Sequence, residues 1–261
     1  MLQRGGSLAF ETGGGAGPLL VLLHGLAATA RVWDRLLATA RWPGRWIAPD
    51  LPGHGASAAT GLYRLGEMAA SVGELITGQA DGGVIIIGHS LGGALALALA
   101  GHATLPIERV YSLGIKLAWS DDELARFAAI AARSPRYFPD EPAARQQHAR
   151  QCGLEVAAGF GLLDRGVVET AEGWRTAVDP AAFAVERPPI AKFLAAARCP
   201  VHLACGSADP MVTIAQMRAF DADAEVIEGA GHNAMVEAPA AVWAWIDRFA
   251  APALKQMESQ Q

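Results

Sequence analysis

The first half of the chain alternates short apolar runs with amphipathic stretches. Apolar runs lie at 19–23, 46–48 and 84–87, and a further plausible strand covers 109–115. Such runs predict strands that are buried on both faces, as parallel strands usually are. Ahead of the third run, apolar residues recur at helical spacing along one stripe: Leu65, Met68, Ala69, Val72, Leu75 and Ile76. The alternation predicts an α/β protein with a mostly parallel sheet and helices on both faces.

The pattern changes between residues 117 and 198. No convincing strand occurs in this block, and prolines interrupt it repeatedly. Ser120 followed by Glu123 is typical of a capping box, and the helix that it would begin carries Leu124 and Phe127 on its apolar stripe. The sequence therefore predicts an all-helical block.

Strand-like sequence returns after this block. Two short runs lie at 201–205 and 224–227, and a last amphipathic helix covers about 240–250. We therefore predict a core domain made of residues 1–116 and 199–261, with the block at 117–198 inserted into it as a helical cap, or lid.

One stretch of twenty uncharged residues, 84–103, is long enough to suggest a membrane span. Its apolar residues change character at Gly88-His89-Ser90, from isoleucine and valine before that point to leucine and alanine after it. A buried strand that turns sharply into a buried helix explains both halves better than a span does.

Composition and charge exclude several classes of protein. Apolar residues make up 52% of the 261 residues and charged residues 18%, which excludes wholesale disorder. The formal net charge is −5 without any run of Lys or Arg, so we expect neither nucleic acid nor a membrane as a partner. Three cysteines without Cys-x-x-Cys spacing predict no disulfide framework and no metal site. The N-terminal segment lacks the apolar core of a signal peptide, so we expect a cytoplasmic protein.

The segment Gly88-His89-Ser90-Leu91-Gly92 matches the Gly-x-Ser-x-Gly pattern. By itself the pattern often marks no more than a glycine-rich turn. Here it follows a β-branched run and begins a helix, so the serine would lie on a tight strand-to-helix turn that exposes its hydroxyl. In this position the pattern predicts that Ser90 is a nucleophile.

A serine nucleophile needs a base, and the base needs a carboxylate that holds its tautomer. His232 stands in a glycine-rich loop after the last predicted strand, and Asp209 follows the strand that ends at Cys205. Taken alone, Asp209-Pro210 is also typical of an ordinary turn. The chain order Ser, Asp, His, with each residue just past a predicted strand, is the order that this architecture requires. We predict a catalytic triad of Ser90, Asp209 and His232.

Along nearly its whole length the chain resembles the α/β-hydrolase fold superfamily, and within it the serine esterases that carry a helical cap. The resemblance rests on these segments: His24-Gly25, Asp50-Leu51-Pro52-Gly53-His54-Gly55 with Ser57, Gly88–Gly93 at the nucleophile elbow, and the loops of Asp209 and His232. It implies a mostly parallel sheet of about eight strands, no cofactor, and a small-molecule acyl substrate. It also implies an oxyanion hole formed by the backbone N–H groups of Leu26 and Leu91.

Some families of this fold place the acid after the strand that precedes the cap. In this chain that strand leads into Gly114-Ile115-Lys116, and the nearest acids, Asp121 and Asp122, look like residues of a first helical turn. Asp209 is therefore the better candidate for the acid.

Other residues near these motifs have ordinary structural explanations. His54 is interpreted as support for its own turn, and His24 and His89 as structural neighbours of the site. His102, His148 and His202 lack ligand-like partners. Six residues could line a pocket beneath the cap, although core packing explains each of them equally well: Trp33, Trp119, Phe127, Phe160, Trp174 and Met235.

The sequence supports three hypotheses about function. The first is a serine hydrolase that cleaves a carboxylic ester, lactone or related small acyl compound through an acyl-enzyme. The second is a hydrolase of a carbon–carbon bond in a ring-cleavage product. Such relatives usually carry tryptophan after the catalytic histidine, where this chain has Asn233. Fold and triad also suit other cofactor-free reactions. A non-catalytic ligand-binding protein is least favoured, because no triad member is missing; the substrate and the oligomeric state stay open.

Overall fold

The computed structural model describes residues 2–39, 42–155 and 161–258, with side chains up to residue 249. The strands of the described chain are β1 (Leu2–Gly5), β2 (Leu8–Gly14), β3 (Leu19–Leu23), β4 (Arg45–Pro49), β5 (Val84–His89), β6 (Ile107–Leu113), β7 (Val167–Thr170), β8 (Gly173–Thr176), β9 (Val201–Gly206) and β10 (Glu225–Ile227). Eight of them form one sheet in the order β1-β2-β4-β3-β5-β6-β9-β10. The pairs β1–β2 and β2–β4 are antiparallel and the other neighbouring pairs are parallel, which confirms the predicted mostly parallel sheet.

Helices cover both faces of this sheet. Their bounds are α1 (Asp34–Thr39), α2 (Leu65–Gln79), α3 (Leu91–Ala100), α4 (Asp121–Ala131), α5 (Glu141–Cys152), α6 (Ile190–Ala196), α7 (Ile214–Arg218), α8 (Ala234–Glu237) and α9 (Pro239–Glu258), with 3₁₀ turns at Ala30–Trp33 and Pro180–Phe183. Side chains of the central strands alternate between two cores because successive strand residues point to opposite faces. Val21 and Ile86 pack into the core of α2 and α3, and Leu22 and Ile87 pack into the core of α1 and α9.

The chain leaves the sheet after β6 and returns to it at β9, which pairs with β6. The intervening residues, 117–198, are called the insertion below. The prediction that the insertion is all-helical is wrong, because β7 and β8 form an antiparallel hairpin within it. The hairpin escaped detection because its strands are four residues long and half-buried, without an apolar run. A backbone bridge between Phe138 and Trp174 adds a third segment to this hairpin. Nothing in the sequence pattern indicates that bridge.

The uncharged stretch at 84–103 consists of β5 and α3, as the change in its composition predicted. Within the described part of the chain, no helix combines the length and the apolar character that crossing a bilayer would need.

Candidate active site

Ser90 lies on the sharp turn between β5 and α3. Its backbone angles are φ +51° and ψ −113°. L-residues rarely adopt this conformation, and such strain costs on the order of 1–3 kcal/mol. The Ser90 N–H donates to the Leu113 carbonyl oxygen at 2.9 Å, which ties the turn to the end of β6. Strain that the surrounding fold maintains in this way is typical of functional sites.

Glycines on either side of Ser90 allow the turn to close. A Cβ atom on Gly88 would lie 2.1 Å from the carbonyl oxygen of Gly92, and a Cβ atom on Gly92 would lie 2.1 Å from the carbonyl oxygen of Leu23. Both distances are far shorter than any real contact, so the packing of this turn requires glycine at each position.

His232 and Asp209 meet in the loops that follow β10 and β9. His232 Nδ1 lies 3.0 Å from Asp209 Oδ2 and 3.1 Å from Asp209 Oδ1. The Asp209 side chain is fully buried, and its Oδ1 also accepts the Met211 N–H at 2.8 Å. A carboxylate at Nδ1 keeps the imidazole proton on that nitrogen, which leaves Nε2 free to act as a base.

Gly114, directly after β6, leaves room for this pair. Its φ of +63° favours glycine, and a Cβ atom there would lie 3.2 Å from Asp209 Oδ2 and 3.5 Å from His232 Nδ1. This is the place where some families of the fold carry their acid. In this chain the position is a glycine, which has no side chain. Asp209, after the neighbouring strand β9, supplies the carboxylate beside the His232 imidazole.

Ser90 and His232 line one cavity, together with Gly25, Leu26 and Leu91. Among the described residues, no hydrogen bond of 3.5 Å or less joins Ser90 Oγ to His232. Ser90 and His232 therefore line the same cavity without a hydrogen bond between their side chains. Catalytic hydrogen bonds are often long in structures without substrate and shorten when substrate binds.

The loop after β3 brings backbone against the serine. A Cβ atom on Gly25 would lie 3.2 Å from Ser90 Cβ, so the loop approaches Ser90 closely. The Ala27 N–H donates to His54 Nε2 at 3.1 Å, which fixes the loop. The Leu26 N–H has no acceptor among the described residues. Leu91 is the first residue of α3, so its N–H has no partner within the helix. These two N–H groups suit the predicted oxyanion hole.

Two buried histidines support the same loop. His24 Nδ1 donates to the Gly25 carbonyl at 2.8 Å, and His24 Nε2 accepts the Leu51 N–H at 2.8 Å. His54 Nδ1 donates to the Pro52 carbonyl at 2.9 Å. Burial lowers the pKa of His24 well below its usual value and also lowers the pKa of His54. Both rings are therefore neutral, and a neutral ring can both donate and accept as these contacts require.

His89 holds the backbone of the candidate base. Its Nε2 donates to the His232 carbonyl at 2.8 Å, and the two ring centroids lie 4.6 Å apart. Burial, and then the proximity of His232, lower the pKa of His89 well below its usual value. His89 is therefore uncharged where its ring packs against that of His232.

Glu237, which the sequence analysis did not single out, holds the backbone on both sides of His232. Its Oε2 accepts the Gly231 N–H at 2.6 Å, and its Oε1 accepts the Asn233 N–H at 3.2 Å. In the sequence Glu237 is only an acidic residue near the start of a helix, so this role depends on the folded loop.

We expect Glu237→Ala to lower kcat on an acyl ester about tenfold while KM changes little, because the imidazole loses its fixed orientation. Glu237→Gln keeps one acceptor oxygen and should recover part of the loss. Steady-state kinetics over a pH series measures both effects. Glu228→Ala removes an exposed carboxylate nearby and is the control. An equal loss in that variant would refute a specific role for Glu237.

The cavity has a volume of about 430 Å³ and a mainly apolar lining. Trp119 and Phe127 of the insertion line it, as predicted, and their rings pack edge to face at 5.8 Å. Lys116 also lines it, but its charge is balanced by Glu123 at 2.9 Å. No group of three or more His, Cys, Asp or Glu side chains in the described chain is placed to hold a metal ion.

Two of the predicted pocket residues lie elsewhere. Trp33 and Met235 are fully buried in the core of α1 and α9 and do not line the cavity. Both side chains pack on the face of the sheet opposite α3. Trp174 belongs to the hairpin of the insertion and is not among the cavity residues either. Phe160 lies outside the described residues.

The insertion is joined to the core beside the cavity. Tyr63 Oη donates to Asp179 Oδ2 at 2.5 Å, which links the loop before α2 to the second half of the insertion. Asn233 Nδ2 donates to the carbonyl oxygens of Cys152 and Gly153 at 3.1 and 3.0 Å, so the loop of His232 is attached to the end of α5. The insertion therefore forms one wall of the cavity and contacts the loop of the candidate base.

The fold and this cavity define an α/β hydrolase. The sequence profile of the α/β hydrolase family matches residues 20–245, and the chain belongs to that family.

Two curated proteins are similar to part of the chain. It is 38% identical to the magnesium-chelatase 30 kDa subunit of Rhodobacter capsulatus over 109 residues, which is 41% of this chain and 38% of that protein. It is 31% identical to the lipase LipV of Mycobacterium tuberculosis over 145 residues, which is 55% of this chain and 54% of that protein. The chain thus spans about two fifths to one half of the length of these curated relatives.

Among solved structures, E-2-(acetamidomethylene)succinate hydrolase superimposes with a TM-score of 0.79 at 21% identity, covering 96% of this chain and 99% of the other. At that identity the likeness concerns the fold.

Proposed function

We propose that the protein is a serine hydrolase that cleaves a carboxylic ester, lactone or related small acyl compound. The observation that carries the proposal is that His232, hydrogen-bonded to the buried carboxylate of Asp209, lines the same cavity as a strained, glycine-flanked Ser90. The match to a protein named a lipase supports an ester as the bond. A serine and a histidine that share one cavity, with a carboxylate on the histidine, are the residue types that acyl transfer through a triad requires.

In the proposed reaction, His232 Nε2 takes the Ser90 proton as the oxygen attacks the acyl carbon. The oxyanion that forms would be stabilised by the N–H groups of Leu26 and Leu91. His232 then donates the proton to the leaving group, and the acyl-enzyme remains. A water molecule, activated by the same imidazole, releases the acid and regenerates Ser90. Asp209 stays ionised throughout and stabilises the imidazolium.

The carbon–carbon hydrolase hypothesis is less well supported. Relatives of that kind usually place a tryptophan directly after the catalytic histidine. In this chain the position is Asn233, whose amide group is already committed to the two carbonyl oxygens of the insertion. Turnover of a vinylogous dienoate without turnover of simple aryl esters would reverse this ranking.

Labelling with a fluorophosphonate tests the proposal directly. We expect mass spectrometry of the folded protein to show one adduct on Ser90, because only an activated serine reacts with this reagent. Ser90→Ala should take up no label, whereas Ser71→Ala, which removes a surface serine on α2, should label like the wild type. An adduct elsewhere, or none on the folded protein, would contradict the proposal.

A further inference from the structure

A second cavity of about 290 Å³ lies within the insertion and adjoins the candidate active site. Phe183 and Gln151 line both cavities. The ring of Phe183 stacks on that of Phe127 at 6.4 Å, so the aromatic wall of the first cavity also bounds the second. A molecule that occupies the active site and extends past Phe183 and Gln151 would enter this second cavity.

Three arginines line the second cavity, and no acidic residue does: Arg133, Arg136 and Arg175. Four other arginines of the insertion have carboxylate partners, whereas two exposed ones, Arg126 and Arg198, have none among the described residues. Arg145 pairs with Glu141 at 2.7 Å, and Arg187 pairs with Asp121 at 2.9 Å.

Across the described side chains, by contrast, no carboxylate oxygen lies within 4.0 Å of the three cavity arginines. Arg136 lies over the Phe138 ring at 4.9 Å, and Arg175 donates to the Thr176 carbonyl at 3.0 Å. These contacts orient the guanidinium groups of Arg136 and Arg175 without balancing their charges.

The other polar side chains of the second cavity could also bind an anion. Ser134, Gln147 and Thr176 can each donate a hydrogen bond, as the arginines do. Gln151 Oε1, at the junction of the two cavities, is buried without a partner among the described residues. A buried acceptor without a donor is costly. A linking chain that carries an N–H or O–H group would satisfy it where the chain passes from one cavity to the other.

We propose that the substrate is an acyl ester or thioester whose end remote from the scissile bond carries a phosphate group, bound by Arg133, Arg136 and Arg175. Three guanidinium groups favour an anion with more than one charge, and a phosphate monoester offers a dianion with three strong acceptor oxygens. The chemistry at Ser90 is unchanged. Water is added across the acyl–oxygen or acyl–sulfur bond to give the carboxylic acid and the free alcohol or thiol. This inference rests on the proposed function, which it narrows to a class of substrate.

The test compares two thioesters that differ only in the phosphate: butanoyl-4′-phosphopantetheine and butanoyl-pantetheine. We expect kcat/KM of the wild type to be at least about tenfold higher for the phosphorylated thioester, because hydrogen bonds to charged groups are the strong ones. The preference should shrink as ionic strength rises, because Arg133 and Arg136 are exposed and Arg175 is half-buried, so that salt screens their charges.

The arginine-pocket variant combines Arg133→Gln, Arg136→Gln and Arg175→Gln, and it should lose the preference while hydrolysing butanoyl-pantetheine as before. A matched control combines Arg126→Gln, Lys192→Gln and Arg198→Gln, three exposed basic residues of the insertion outside the pocket. It carries the same change of charge and should keep the preference. Thermal melting of both proteins verifies that they fold.

A wild type without preference, or a preference that survives in the arginine-pocket variant, overturns the proposal. The proposal is also overturned if inorganic phosphate binds the pocket but the enzyme hydrolyses the two thioesters with equal kcat/KM. The pocket would then bind a separate effector and not part of the substrate. Failure of the proposed function gives a different result: neither thioester is hydrolysed, but 4′-phosphopantetheine still binds the wild type and not the arginine-pocket variant.

Discussion

Replacing Asp209 by asparagine is expected to lower kcat on an acyl ester about 10⁴-fold while KM changes little. The existing contacts determine how the new amide would lie. Its oxygen would stay on the Met211 N–H, which Asp209 Oδ1 now accepts at 2.8 Å, and its NH₂ group would face His232 Nδ1. The imidazole would then carry its proton on Nε2 and could not accept one from Ser90. A loss of this size corresponds to about 5.5 kcal/mol of transition-state stabilisation.

Asp221→Asn is the matched control for this variant. Asp221 Oδ1 accepts the Asp223 N–H at 3.0 Å, so the same chemical change is made at a similar local hydrogen bond outside the cavity. Its kinetics should equal those of the wild type. If Asp209→Asn retained more than about one tenth of kcat, His232 would not depend on this carboxylate and the proposed mechanism would be wrong.

Much of the α/β core could be predicted because its signals are local. The runs at 19–23, 84–87 and 201–205 are continuous and apolar, and each became a strand buried within the sheet. Strand ends of a parallel sheet lie along the same edge. The chain positions of Ser90, Asp209 and His232 were therefore enough to expect that they lie near one another. In the structure Ser90 and His232 line one cavity, and Asp209 contacts His232.

Other elements could not be predicted because their stability comes from distant contacts. The N-terminal hairpin of β1 and β2 contains several glycines and exposes most of β1, and its apolar run, Leu8-Ala9-Phe10, is only three residues long. It forms because β2 pairs along its length with β4. Gly114 likewise shows no function in the sequence. Its role depends on two loops more than ninety residues further along the chain, which bring Asp209 and His232 against it.

The pocket residues illustrate a different limit. Trp119, Phe127, Trp33 and Met235 are all large and apolar, and the sequence could not tell which of them face a cavity. Trp33 and Met235 are adjacent to functional loops in sequence, yet their side chains point into the core. Only the arrangement of the insertion over the sheet separates a lining residue from a packing residue, and that arrangement is set by contacts such as Tyr63 to Asp179.

Replacing His148 by leucine is expected to reduce the loss of stability on acidification by about 3 kcal/mol between pH 6.5 and pH 4. His148 lies on α5 and is buried, with neither ring nitrogen paired among the described residues. Burial, and then the proximity of His54 and Arg145, lower the pKa of His148 to about 4, while Asp50 acts in the opposite direction.

Between these pH values the unfolded chain binds a proton at His148 that the folded chain does not bind. The free energy of unfolding therefore falls as the pH falls through this window, and it is recovered above pH 6.5. Leucine removes the titration and sacrifices no hydrogen bond of the described structure. His24, His54 and His89 are also buried and neutral, so the wild type loses further stability from them on acidification. The prediction therefore concerns the difference between the two proteins.

Urea unfolding at pH 7, 5.5 and 4 measures this difference. His102→Gln changes an exposed histidine after α3 and should follow the wild type at every pH. A His148→Leu protein that acidification destabilises as much as the wild type would show that the imidazole gains access to water or a counter-charge before the fold opens. A steady gain in the free energy of unfolding of His148→Leu relative to the wild type as the pH falls would instead identify α5, which bears part of the cavity wall, as an acid-sensitive element of the insertion.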